Sequence, residues 1–321
     1  MFTEFYPEEV HVVVTITIAT LFFIISAFGN YVILFKTPGA MAGYKYHFFY
    51  LNTSYQVTIF FLAVYGRVEI SFPTPTLHCI EYSGLVQIFG RNFAFIETFT
   101  GTFSQFNVIN SILLSFLFRF CHVCYPKSSY SENPLWERTV NVTITVVSTV
   151  PLSVLYLASI VFYMEDPQTK RDGYITVCFG SSDLMNVFSI AAFLYVTSVI
   201  VLCLAFISRV VWVMKTKMAN VSKKTKDMQR MLTITLIVTV SIPIVLGGLP
   251  VFLAFYAVSI RVENAAQMFR IIFLASIGQG LTNITSTLLL VKPYRLVILS
   301  LMRWKKKITK VAAVTQTACE I

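Results

Sequence analysis

The chain has 321 residues, 56% of them hydrophobic and only 12% charged, about half the charged share of an average soluble domain. This composition excludes an ordinary soluble domain and indicates a polytopic membrane protein. The net charge of +10 would suit nucleic acid only as a surface patch on a soluble fold, whereas here the bases lie between apolar runs and report orientation.

Seven runs are apolar over about the 20 residues that a bilayer core requires. They lie near 11–35, 46–66, 94–120, 139–163, 184–213, 231–258 and 266–291. The leading segment holds Glu4, Glu8 and Glu9 and no base, the wrong sign for the start of a signal peptide. With the N-terminus outside, nineteen of the 25 Lys and Arg fall on the cytoplasmic side, as the positive-inside rule requires. The expected fold is therefore an all-α membrane protein, a seven-transmembrane helix bundle with an extracellular N-terminus and a cytoplasmic C-terminus. A single membrane domain is expected over 1–291, with a basic cytoplasmic tail over 292–321.

After the second run, Cys79 falls in the first outer loop. Segment 82–90 is too short and too broken by glycine to span, and is expected at the membrane interface. Cys178 falls in the second outer loop. A Cys79–Cys178 bridge would fasten that loop over the mouth of the bundle, but spacing alone leaves a bridge and two free thiols equally open.

The third run carries a polar stripe, Glu97, Thr100, Gly101, Ser104, Asn107, Ser111 and Ser115, which follows the 3.6-residue period. Polar groups in hydrocarbon face the bundle or a water-filled cavity, and for Ser and Thr the ordinary role is bonding between helices. Glu97 differs, because a carboxylate near the outer end of a core helix calls for a cation, a proton or a ligand. Arg119 closes this run at the inner side.

The sixth run starts from a basic foot that includes Lys226 and Arg230. It carries Pro243 at its middle, then Gly247, Gly248 and Pro250. An interior Pro removes a backbone bond, so a bend is expected there, serving either as a hinge or as a fixed kink. Tyr256 lies in the outer half of this run. The seventh run places Ser276, Gln279, Asn283 and Ser286 on one face and ends in Lys292, Pro293, Tyr294 and Arg295. The following stretch has the pattern of a helix lying along the membrane surface. Sequons at Asn52, Asn141, Asn220 and Asn283 fall in spans or on the inner side, so none is expected to carry a glycan.

No zinc-protease, nucleophile-elbow or phosphate-loop motif occurs, and the Cys and His residues lack metal-ligand spacing. No enzyme activity, metal or cofactor is expected. No internal repeat of the transporter kind is visible.

Together, DMQRMLTITLIVTVSIPIVLGGLP (Asp227–Pro250) and GQGLTNITSTLLLVKPYR (Gly278–Arg295) resemble the nematode serpentine seven-transmembrane chemoreceptors of the Str superfamily, closest to its Srh class. The resemblance covers nearly the whole chain. Gly29–Asn30 and Arg119 are more loosely similar to rhodopsin-like receptors, but Phe118 stands where those have an acid before the arginine. An acid–arginine lock therefore does not carry over. The resemblance implies a G-protein-coupled receptor of the plasma membrane, of olfactory type and placed in sensory cilia, that reads small environmental molecules. The ligand contacts expected from placement are Glu97, Thr100, Ser104, Tyr256 and Gln279. The expected G-protein face is Arg119, Lys226, Arg230 and Arg295, with Pro243 as hinge. The partners are a small odorant-type ligand, a heterotrimeric G protein and the bilayer. The alternative is a ligand-gated channel or transporter of small molecules, although insect odorant receptors have the opposite orientation.

Overall fold

The structure, a computed structural model, describes residues 8–74, 77–165, 174–180, 183–216, 223–248 and 265–300. Among the described residues, seven long helices form the bundle: α1 (Glu8–Phe35), α2 (Ala42–Ile59), α4 (Arg91–Cys124), α6 (Pro134–Val161), α7 (Asp183–Thr216), α8 (Lys223–Pro243) and α9 (Ala265–Leu290). Two short helices, α3 (Val86–Phe89) and α5 (Ser129–Glu132), lie between them. Six of the seven are long and apolar enough to cross a membrane. The exception is α2, whose sequence is diluted by His47, Asn52, Thr53, Ser54, Gln56 and Thr58. It packs against α1 and α4, and His47, Asn52, Ser54, Gln56 and Thr58 find partners inside the bundle.

Local sequence explains the helix ends. Asn133 caps α6 by accepting from the Leu135 and Trp136 amides, and Pro134 fills the first turn, where its missing N–H costs nothing. Between α3 and α4 the chain turns at Gly90, whose φ of 86° needs a residue without Cβ.

α1, α2 and α9 are joined by amides and hydroxyls. Asn52 donates to Asn30 Oδ1 at 2.6 Å and accepts from Ser26 at 2.9 Å, Asn30 donates to Gln56 at 3.1 Å, and Asn283 donates to the Tyr55 hydroxyl at 3.3 Å. Asn52 and Asn283 are thus buried, beyond the reach of glycosylation. A cavity of about 10 Å³ remains between Asn52, Tyr55, Asn283 and Thr287, room for about one water. After α9, residues 292–300 are helical. Pro293 opens this turn, and Tyr294 is buried with its hydroxyl 2.8 Å from Thr37 Oγ1, tying the inner end of α9 to that of α1. Burial pushes the Tyr294 hydroxyl above its ordinary pKa against the lowering effect of that bond, so it stays neutral.

The outer side adds an element that sequence reasoning did not include, a four-stranded antiparallel sheet. β1 (Val68–Thr74) and β2 (Leu77–Tyr82) come from the first outer loop, β3 (Met164–Glu165) and β4 (Ile175–Gly180) from the second. Their order is β1-β2-β4-β3. Cys79 faces Cys178 in register, and their sulfurs are bonded. Under the sheet lies an apolar cluster of Ile80, Tyr82, Val86, Ala94, Ile160, Val177 and Phe179, which closes this part of the bundle mouth. An ion pair of 3.0 Å between Glu69 of β1 and Arg270 of α9 anchors the sheet to the last span.

Candidate functional site

Three places along the bundle axis hold side chains with no evident role in ordinary packing. The outermost is Glu97 on α4. It is 1% exposed, and its Oε2 has no hydrogen-bond partner among the described residues. It fits because Gly66, where the chain leaves α2, has no side chain: a Cβ there would lie 2.5 Å from Glu97 Oε1. The chain escapes α2 through a π-helical turn, Phe60–Tyr65, and the left-handed Arg67, with φ 41°. The Arg67 guanidinium then donates to the Ser83 carbonyl at 2.6 Å. An ionised carboxylate sealed away from water is costly unless something pairs with it, and among the described residues no cation pairs with this one.

Most of the polar stripe on α4 has another use. Thr100 donates to the Ile96 carbonyl, Ser104 to that of Gly101, Ser111 to that of Val108, and Ser115 to that of Ser111. Asn107 joins α4 to α2 by accepting from Tyr50 and donating to Ser54 at 3.0 Å. Thr100 and Ser104 therefore spend their hydroxyl protons on their own helix. Tyr256 lies outside the described residues.

The middle place is the bend of α8. The α-helix ends at Pro243 and continues as a π-helical turn, Ile244–Gly248. The pyrrolidine ring cannot donate to the carbonyl one turn back and crowds it, and beyond it the chain goes on in a wider π-helical turn. Gln279 of α9 packs directly on this turn, since a Cβ on Gly247 would sit 2.3 Å from Gln279 Nε2. Gln279 thus touches the bend itself. Gly247→Val is expected to force the two helices apart and, on the receptor reading proposed below, to cut an evoked response at least tenfold with surface expression retained. A dose-response curve beside surface staining tests this, and an unchanged curve would remove Gly247 from the proposed hinge.

The innermost place centres on Arg119, 1% exposed at the end of α4. Its guanidinium donates to the Tyr44 hydroxyl of α2 at 2.6 Å. It also donates to the Gln229 carbonyl of α8 at 2.7 Å and to Thr233 Oγ1 at 3.1 Å. Arg119 lies over the Tyr44 ring at 5.5 Å as well, a cation–π contact. Among the described residues, no carboxylate takes part. Phe118, in the position before the arginine, packs against the rings of Tyr44, His47 and His122 at 5.0, 4.3 and 3.9 Å. It acts as an aromatic wedge between α2 and α4. The buried charge is held by neutral oxygens, and two of these three belong to α8.

Arg119 is consequently closed off from the cytoplasm in this arrangement, while Arg230 and Arg295 are exposed. Gln229 and Thr233 face Arg119, and Arg230 points away from it, so the expected basic face is not one continuous patch. The Lys226 side chain lies outside what the structure describes. Sequence reasoning gave no role to Tyr44, Gln229 or Thr233, and named Gly247 only as part of the break after Pro243. Gln229 and Thr233 lie one turn apart on α8, which marks a shared face but not its partner.

A family model described as serpentine-type seven-transmembrane GPCR chemoreceptor Srh matches residues 7–304. Among solved structures, squid rhodopsin superposes with a TM-score of 0.62 at 14% sequence identity, over 93% of this chain and 87% of its own. That identity speaks for the fold alone. Comparison with curated proteins finds no significant match.

Proposed function

The chain belongs to the serpentine-type seven-transmembrane chemoreceptors of the Srh family, and from that premise we propose that it couples a small environmental ligand, bound in the outer half of the bundle, to a heterotrimeric G protein. It is a multi-pass membrane protein of a receptor family, and the plasma membrane of a sensory cilium is its proposed location. The receptor domain is taken as 1–291 and the basic tail as 292–321.

The observation that carries the reading is the Arg119 latch, a buried cation gripping the backbone of a helix that carries its own bend above. The arrangement described is taken as the resting state. A ligand reaching Glu97 or Gln279 would favour a second state in which the π-helical turn above Pro243 repacks and the foot of α8 leaves Arg119. A ligand shifts this balance only through its differential affinity for the two states. Once released, Arg119 would be free for acceptor groups of the G protein, with Lys226, Arg230 and Arg295 as further bases on the same cytoplasmic side. Thr100, Ser104 and Tyr256 complete the proposed ligand-facing set, with Thr100 and Ser104 in a shaping role because their protons are committed.

Glu97 sets the ligand chemistry. Its free oxygen calls for a donor, and a cationic or N–H-bearing ligand is favoured. Glu97→Gln removes the ionisable carboxyl at nearly constant volume and is expected to weaken the potency of such a ligand by about tenfold or more, as for a lost hydrogen bond to a charged group. Equal potency at the parent receptor and the Glu97→Gln variant would remove the carboxylate from the ligand site.

The reading as a whole is tested by G-protein activation in a heterologous cell exposed to pooled volatile and water-soluble odorants. Activation that depends on Arg119 supports it. A ligand-evoked current in cells without functional G proteins would replace it with a channel.

A further inference from the structure

Between the cytoplasmic ends of α8 and α9 runs a groove of about 240 Å³ lined by Asp227, Arg230, Met231, Ile234 and Leu290. The helix period gives its direction. Leu232, Thr235, Leu236 and Thr239 are buried and face the bundle, so Arg230 and Ile234 lie on the opposite side. Further along that side Ile237 and Val245 are exposed apolar residues, as on a face turned to lipid.

The groove therefore opens onto the bilayer, apolar at Met231, Ile234 and Leu290 and charged at its inner rim. Lys292 follows the α9 wall of the groove by two residues, its backbone amide 3.1 Å from Met231 Sδ, and Arg295 lies one turn further on. Arg230, Lys292 and Arg295 are all exposed. None of the three has an ion-pair partner among the described residues. One acid, Asp227, stands among them.

We propose that this groove is a binding site for an anionic phospholipid of the cytoplasmic leaflet. An acyl chain lies along Met231, Ile234 and Leu290, and the phosphate and its acidic headgroup sit against Arg230 and Lys292. The two ends of the groove need different chemistries at a fixed spacing, and an anionic lipid supplies both. A zwitterionic lipid fills the apolar wall but leaves the excess positive charge uncompensated. A soluble phosphate meets the charge and leaves the wall bare. The site shares Arg230 with the proposed G-protein face, but lipid labelling is read without any signalling and so tests the groove independently.

The test uses the full chain in nanodiscs of phosphatidylcholine carrying a small share of phosphatidylserine with a photoactivatable acyl chain. Crosslinks are mapped by peptide mass spectrometry. They are expected on the peptides that hold Ile234 and Leu290, in excess over a photoactivatable phosphatidylcholine probe at equal share. Arg230→Gln is expected to lower that labelling about fivefold, the effect of one base near an anionic surface. Ile234→Trp, which fills the groove and leaves the charges, is expected to lower it as well. Arg209→Gln, a base on the exposed face of α7, serves as the control and is expected to leave it unchanged. Equal labelling by the two lipids, or equal loss in the Arg209 variant, would overturn the proposal and leave only ordinary annular lipid.

Discussion

Tyr44→Phe is expected to raise ligand-independent G-protein activation about tenfold. The substitution removes one hydroxyl, the one that accepts from Arg119 at 2.6 Å, and keeps the ring under the guanidinium. A hydrogen bond to a charged group contributes about 1.5–3 kcal/mol, and about 1.4 kcal/mol is a tenfold shift in an equilibrium. On the proposed reading Arg119 must also leave Tyr44 to reach a G-protein acceptor, so the bond belongs to the resting state and its loss weakens that state. Thr233→Val, which deletes a second acceptor on α8 at nearly constant size, is expected to act in the same direction and more weakly, because the Gln229 carbonyl remains. Arg119→Ala removes the latch and, on this reading, the group offered to the G protein. It is expected to abolish the evoked response at normal surface expression. Basal and evoked activity measured beside surface staining separate these outcomes. Basal activity in Tyr44→Phe that matches the parent would mean that the latch holds the fold and not the switch.

Cys178→Ser is expected to give the largest loss of stability. The Cys79–Cys178 bond closes a loop with a sequence separation of 99, and cross-linking so long a segment restricts the unfolded chain by about 4–5 kcal/mol in the chain-entropy account. It is also the covalent tie between the two hairpins of the outer sheet, which otherwise meet through the β2–β4 ladder. Surface expression and thermal stability in detergent should both fall, and Cys79→Ser should give the same loss. The double variant should be no worse than either single one, because all three lack the same bond. Wild-type stability in either single variant would mean that the ladder and the Glu69–Arg270 pair suffice.

The two sets of variants separate the outer cap from the inner latch. Cap variants act on stability and spare the balance of states in the molecules that survive. Latch variants act on that balance and leave surface levels near normal. The bend of α8 lies between the two, and Gly247→Val is expected to resemble the latch class in expression but not in sign.

The sequence made the membrane class legible, because composition and the seven apolar runs need no tertiary information. Orientation followed from the distribution of bases, a property of loops. The break at Pro243 was visible for the same local reason, since a ring without an N–H interrupts a helix wherever the helix lies. Glu97 stood out because a carboxylate in an apolar run is conspicuous by chemistry alone.

What the chain alone left open was the assignment of partners. Whether Cys79 and Cys178 meet depends on two hairpins coming into register across a long separation. The stripe on α4 could have been pocket or helix contact. Packing against α2 made Asn107 an interhelical bond, and helix geometry turned the hydroxyls back onto their own carbonyls. Arg119 looked like a free cytoplasmic base until α2 and α8 closed around it, and its acceptors, a tyrosine hydroxyl, a threonine hydroxyl and a backbone carbonyl, carry no charge pattern that a sequence displays. Periodicity and composition fix which face of a helix is polar, because those are properties of one segment. Which neighbour that face meets is a property of the packed bundle, and only the tertiary structure decided it.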